Sequence, residues 1–128
     1  MGQDKDTGAA ADRYSRTTAR TIAARLGATM QNANSNECML GGARGVIKCA
    51  RQNTPSIGVT EKMLDRIQFV VAALEVDDST YELYRLPAER FRAHMRPSAS
   101  RGPSSGQVSR VSKPVFREEG ARLRDLRL

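Results

Sequence analysis

The stretch NECMLGGARGVIKCARQ, Asn36 to Gln52, sets an acid and a lysine into an otherwise apolar run. Lysine is rare inside a buried strand without a partner or a task, so Lys48 invites a chemical reading. A carboxylate can hold Mg²⁺, and the bound cation polarises a phosphate and acidifies a water. A nearby ammonium orients that water and neutralises developing charge. A hairpin delivers such a set: an acid on the first strand, then an acid and a lysine two apart on the second, on one face by alternation. Here Glu37 is the first-strand acid and metal ligand, and Lys48 the second-strand cation, with ten residues between them. Val46 stands two before the lysine, where valine binds no metal. Glu61, Asp65 and Glu75 are the carboxylates that could supply a missing ligand from neighbouring elements. Gln52, four past Lys48, adds a polar contact, and Arg44 and Arg51 beside the hairpin suit phosphates. Two plainer readings stay open: Glu37 as an exposed hairpin acid, and Lys48 as an edge-strand lysine that discourages sheet-to-sheet pairing.

The elements that must position these groups follow from pattern. Residues 1–14 are small and polar and are expected to be disordered. Residues 15–27, SRTTARTIAARLG, read as a helix with an Ile22, Ala23, Leu26 stripe and Gly27 as its stop. Residues 31–36 read as a polar loop, and ECML and GVIKCA as strands around a GGAR turn. Residues 51–58 read as another loop. A short helix or loop then precedes a strand at 67–75, where Ile67, Phe69, Val70 and Val71 cluster. TYELYRL (80–86) reads as a strand, and Pro87 opens a helix at its first position. Residues 96–107 read as a Pro/Gly/Ser loop, VSRVSKPVF as an edge strand, and REEGARLRDLRL as a terminal helix. The expected fold is α/β (α+β), a small mixed sheet with a central hairpin flanked by helices. Its domain spans 15–95, with a basic extension at 96–128 that the domain folds without.

Composition bounds the function. The chain has 128 residues, enough for one modest core. It has no run of about 18 apolar residues and no apolar leader, so neither a membrane span nor secretion is expected. Met1-Gly2 lacks the Ser or Thr that a myristoylation signal wants, since Asp6 stands there. The two cysteines, Cys38 and Cys49, read as a reduced cytoplasmic pair. A single histidine without a Cys-x-x-Cys argues against zinc. Residues 89–128 carry ten Lys/Arg against four Asp/Glu, which is +6 of the chain's +7. Such a basic flank suits a polyanion partner, with Arg96, Arg101 and Arg110 as its contacts.

The motif NECMLGGARGVIKCA, followed by IQFVVAALEVDDSTYELYRLPAERF, resembles the PD-(D/E)XK (restriction-endonuclease-like) nuclease superfamily over roughly residues 15–95. The resemblance implies a Mg²⁺-dependent endonuclease acting on DNA as a homodimer, with Glu37, Lys48 and Gln52 catalytic. Val46 departs from the family's acid-x-lysine. The alternative is therefore a catalytically inactive relative that binds DNA or protein. Three other segments have commoner explanations than function. TARTIAARLG is similar to the first helix of a helix-turn-helix, but ATMQNANSNE makes a poor recognition helix. His94, Arg92 and Arg96 suit a solvated helix end. Tyr81 and Tyr84 fall on opposite faces of a strand, as core or sheet cover.

Overall fold

The computed structural model describes residues 16–31, 35–97 and 108–128; the N-terminal 1–14 reading, part of the 31–36 loop and Arg101 lie outside them. Among the described residues the chain is mixed α+β, with a six-stranded sheet, a three-stranded sheet and four helices. Helix α1 (16–26) buries Thr18, Ala19, Ile22 and Ala23 and turns Thr17, Arg20, Thr21, Ala24 and Arg25 to solvent. Gly27 ends it at φ +75°, the left-handed conformation that glycine adopts most readily.

Strands β1 (Thr29–Met30), β2 (Glu37–Leu40) and β3 (Ala43–Ala50) form an antiparallel ribbon. Gly41 and Gly42 both have positive φ, the two-residue turn whose twist matches that of a hairpin. The chain then crosses over through β4 (Ser56–Thr60) and α2 (Glu61–Leu64). Thr60 caps α2, its hydroxyl accepting from the Met63 amide at 3.2 Å. Strand β5 (Phe69–Glu75) runs parallel to β3, and β6 (Thr80–Pro87) returns antiparallel. So the expected hairpin shares one sheet with the strands expected at 67–75 and 80–86, which run 69–75 and 80–87, in the order β1-β2-β3-β5-β6-β9.

Helix α3 (Ala88–His94) follows with Pro87 at its cap, one position earlier than expected. Strands β7 (Arg96–Pro97), β8 (Val108–Ser112) and β4 make the second sheet, with β8 in the middle. Helix α4 (Lys113–Glu119) leads to β9 (Ala121–Arg127), which closes the edge of the large sheet against β6. No helix among the described residues is long and apolar enough to cross a membrane.

Three expectations need correction. Residues 51–58 are not all loop, because Ile57 and Val59 are 2% and 1% exposed on a short strand. VSRVSKPVF is a strand only as far as Ser112, and that strand is the middle one of its sheet rather than an edge; Pro114, in the first turn of α4, suits a helix start. REEGARLRDLRL is not a terminal helix: α4 stops at Gly120, and Leu123 and Leu126, three apart, face the core from a bulged strand. The bulge makes a strand look helical in its apolar spacing. Residues 108–128 are therefore built into both sheets, and Val111, Phe116 and Leu126 are 0–2% exposed.

Two cores lie on opposite faces of the large sheet. Ile22 of α1 packs with Ile47, Phe69, Val71, Leu83 and Leu126 of the sheet. Val46, Val70, Leu74, Leu86, Phe91 and Phe116 pack on the other face, together with Ile57, Val59 and Val111 of the small sheet.

Candidate functional site

Glu37 opens β2 directly opposite Val46 on β3, so it shares a face with Val46 and, two residues on, with Lys48. The structure thus brings Glu37 and Lys48 to one side of the sheet. Lys48 is half-buried and in register with Ala72 of β5. Glu37 is not an exposed acid: its side chain is 8% exposed and accepts from Arg66 Nη2 at 2.8 Å. Burying a carboxylate requires such a partner, and Arg66, two residues past the end of α2, was not singled out in the sequence.

The remaining hairpin residues disperse. Gln52 is exposed beyond the end of β3. From Val46 to Ala50 alone is four strand residues, about 13 Å, so Gln52 does not join Glu37. Its backbone N–H donates to Glu75 Oε1 at 3.2 Å, and its backbone carbonyl accepts from Lys113 Nζ at 3.3 Å. The same ammonium donates to the Arg51 carbonyl at 2.8 Å, so Lys113 clasps the turn after β3 from α4. Burial, then the nearby Arg117, pulls the Lys113 pKa down, against a smaller opposing pull from Glu75. Arg44 and Arg51 sit at opposite ends of β3 and are exposed.

The residues present do not fit a cation at Glu37. Val46 occupies the facing position, and the Glu37 carboxylate is held by Arg66. Asp65 pairs with Arg92 at 2.7 Å, and Glu75 engages Gln52 and Tyr81. Among the described residues no three or more His, Cys, Asp or Glu side chains converge. Cys38 and Cys49 are free thiols; burial, partly offset by Arg85 and Lys48 respectively, pushes them up to about 11 and about 12.

A different constellation forms on the small sheet. Ile57, Val59 and Val111 point into the core, so alternation turns Ser56, Gly58, Thr60, Arg110 and Ser112 outward. Arg110 faces Gly58 on β4 and Arg96 on β7 in register, so two sequence-predicted contact residues meet in one row. Arg110 lies across β4: its Nε donates to Ser56 Oγ at 2.7 Å and its Nη2 to the Ser56 carbonyl at 3.1 Å. Gly58 leaves room for it: a Cβ there would meet Arg110 Nη1 at 2.7 Å, and the guanidinium would have to shift. The visible trace of this in the sequence is a glycine between two β-branched residues in SIGVT. The result is a guanidinium fixed in orientation on a face of hydroxyl groups. Such a group donates to a phosphate without first giving up rotamer freedom.

Comparison with protein-family models, curated proteins and solved structures finds no match for this chain.

Proposed function

We propose that the protein binds DNA through the outer face of its small sheet and does not cut it. In this reading the fold is a restriction-endonuclease-like one whose hairpin keeps its acid and lysine while the metal site is replaced by the Glu37–Arg66 pair. The observation that carries the proposal is Arg110 laid across Gly58 beside Arg96. Ser56, Thr60 and Ser112 add hydroxyl donors on the same face. The reading places the protein in the cytoplasm, where Cys38 and Cys49 remain thiols.

The test is fluorescence anisotropy with labelled duplex and single-stranded DNA across a salt series. Each phosphate neutralised adds about 0.9 to the slope of log affinity on log salt. The double variant Arg96→Ala/Arg110→Ala should flatten the slope by about 2 units. An unchanged slope would remove this face from the binding surface. The intact protein should leave supercoiled plasmid whole in Mg²⁺ or Mn²⁺. Nicking that disappears in Lys48→Ala would overturn the non-catalytic reading.

A further inference from the structure

The solvent-facing half of α1 takes no part in the surface just described, and its arrangement is informative. Successive helical residues rotate by about 100°. The buried Thr18, Ala19, Ile22 and Ala23, with half-buried Leu26, fall on one half of the circumference. Around the other half the order is Arg16, Arg20, Ala24, Thr17, Thr21, Arg25. Arginines therefore stand on both flanks of the exposed arc, and small side chains form its crest. The Thr21 hydroxyl donates to the Thr17 carbonyl at 3.1 Å, which keeps that polar atom close to the helix surface. Residues 16–26 contain no acid. Arg124 of β9 reaches the Arg25 carbonyl at 3.5 Å and adds a further guanidinium at that end.

An indiscriminate cationic patch would carry charge along its crest. Here the crest is neutral and low and the charge is lateral. A helix with side chains is about 10–12 Å across, and the B-DNA major groove is about 12 Å wide and bounded by phosphates on both sides. A low crest lets the helix approach the base edges, and lateral arginines reach the two walls. Threonine and alanine methyl groups also suit the thymine methyl displayed there.

We propose that α1 seats in the major groove of B-form duplex DNA, with Arg20 and Arg25 on opposite groove walls and Thr17, Thr21 and Ala24 facing the base edges. This rests on the reading of DNA as the partner but not on the small-sheet face, since α1 and the small sheet cover opposite faces of the large sheet; it names the form of the partner as double-stranded DNA rather than single strands or duplex RNA, whose major groove is too deep and narrow to be read.

The experiment uses the full chain and three labelled probes of one sequence: duplex DNA, single-stranded DNA and duplex RNA. Wild type should prefer duplex DNA. Ala24→Trp places a bulky neutral group on the exposed crest and should weaken duplex-DNA binding by about tenfold, the scale of one lost base contact. Its single-strand binding should not change. Arg20→Glu/Arg25→Glu should weaken duplex binding and flatten its salt slope by about 2 units. Unchanged duplex affinity in either variant, at an unchanged melting temperature, would overturn the proposal, and so would equal affinity for duplex RNA. The two surfaces separate cleanly. Loss in Arg96→Ala/Arg110→Ala with none in the α1 variants leaves the small-sheet reading standing and this one refuted. The converse refutes the small-sheet face and supports α1. A wild-type chain that binds none of the three probes refutes both.

Discussion

Gly45 on β3 and Phe69 on β5 share one volume. They are paired in register across the parallel step of the sheet, and the Phe69 ring lies where a Cβ on residue 45 would stand. The Arg85 guanidinium covers the ring from β6, 4.0 Å from its centroid. Gly45→Ala should therefore destabilise the fold by about 1–3 kcal/mol through overpacking, a larger effect than an exposed strand glycine would show. Phe69→Ala should cost about 3–5 kcal/mol. Adding Phe69→Leu to Gly45→Ala should recover part of the first loss, because the two side chains compete for the same space. Urea denaturation followed by circular dichroism reads all of these, and strictly additive effects would contradict shared space.

The Glu37–Arg66 pair gives a second expectation. Arg66→Ala strands a carboxylate that is 8% exposed. Breaking a buried pair costs about 3–5 kcal/mol, but Arg66 is 48% exposed and water screens it. A loss nearer about 1–2 kcal/mol follows. Glu37→Leu in the Arg66→Ala background should restore stability, since no buried charge then remains. If the double variant is less stable than Arg66→Ala, the carboxylate has a role other than this pair.

Lys113 supplies a third. Lys113→Ala frees two carbonyls, those of Arg51 and Gln52, that its ammonium satisfies. The expected loss is about 1–3 kcal/mol. Amide hydrogen exchange should quicken first at Thr54, whose amide donates to the Arg51 carbonyl. Uniform exchange change across the chain would argue against a local clasp.

Alkaline pH should loosen the fold through its thiols. In the unfolded chain the thiols ionise near 9, whereas in the folded chain they hold their protons to about 11 and about 12. Over that window the folded state binds more protons, so their contribution is complete below pH 9 and is lost as pH rises. Each thiol accounts for about 1.4 kcal/mol per pH unit inside its window. Cys38→Ala/Cys49→Ala should fall less steeply than wild type, and the difference between the two curves isolates the thiols from lysines and tyrosines. Parallel curves would refute it.

Removing residues 108–128 should abolish cooperative unfolding rather than leave a trimmed domain. The deletion strips Val111, Phe116 and Leu126 from both cores and exposes the edges of β4 and β6. A sharp thermal transition in the shortened chain would contradict this.

The legible part of the sequence was local. Gly41-Gly42 set the hairpin, and the β-branched clusters set β3, β5 and β6, because turn chemistry and apolar runs act between near neighbours. The small sheet was not legible: β4 is five residues long, and its partner lies about fifty residues downstream. The composition of residues 96–128 reads as a solvated tail because charge dominates it, yet Val111, Val115, Phe116, Leu123 and Leu126 pack into or against the two cores. At the site, the shared face of Glu37 and Lys48 followed from alternation, while Arg66 did not. Ion pairs between distant elements leave no periodic trace. Gly58 was visible as a glycine in a strand, but the arginine it accommodates was not.

The way β8 and β9 close the two sheets also governs how this chain reaches its native state. β4 pairs with β8 across separations of 48 residues at Thr60–Val108 to 56 at Ser56–Ser112. Neither the crossover strand nor the free edge of β6 can be covered until the last segment has found both. Loop-closure entropy must be met before those contacts repay it. The nucleus therefore belongs to the hairpin and β5–β6, and the rate-limiting search to residues 108–128. Until that search ends, β4 and β6 present open strand edges to any other chain in the vicinity. Crowded refolding at high concentration should be where this protein is lost to aggregation, well before its native state is under thermodynamic threat.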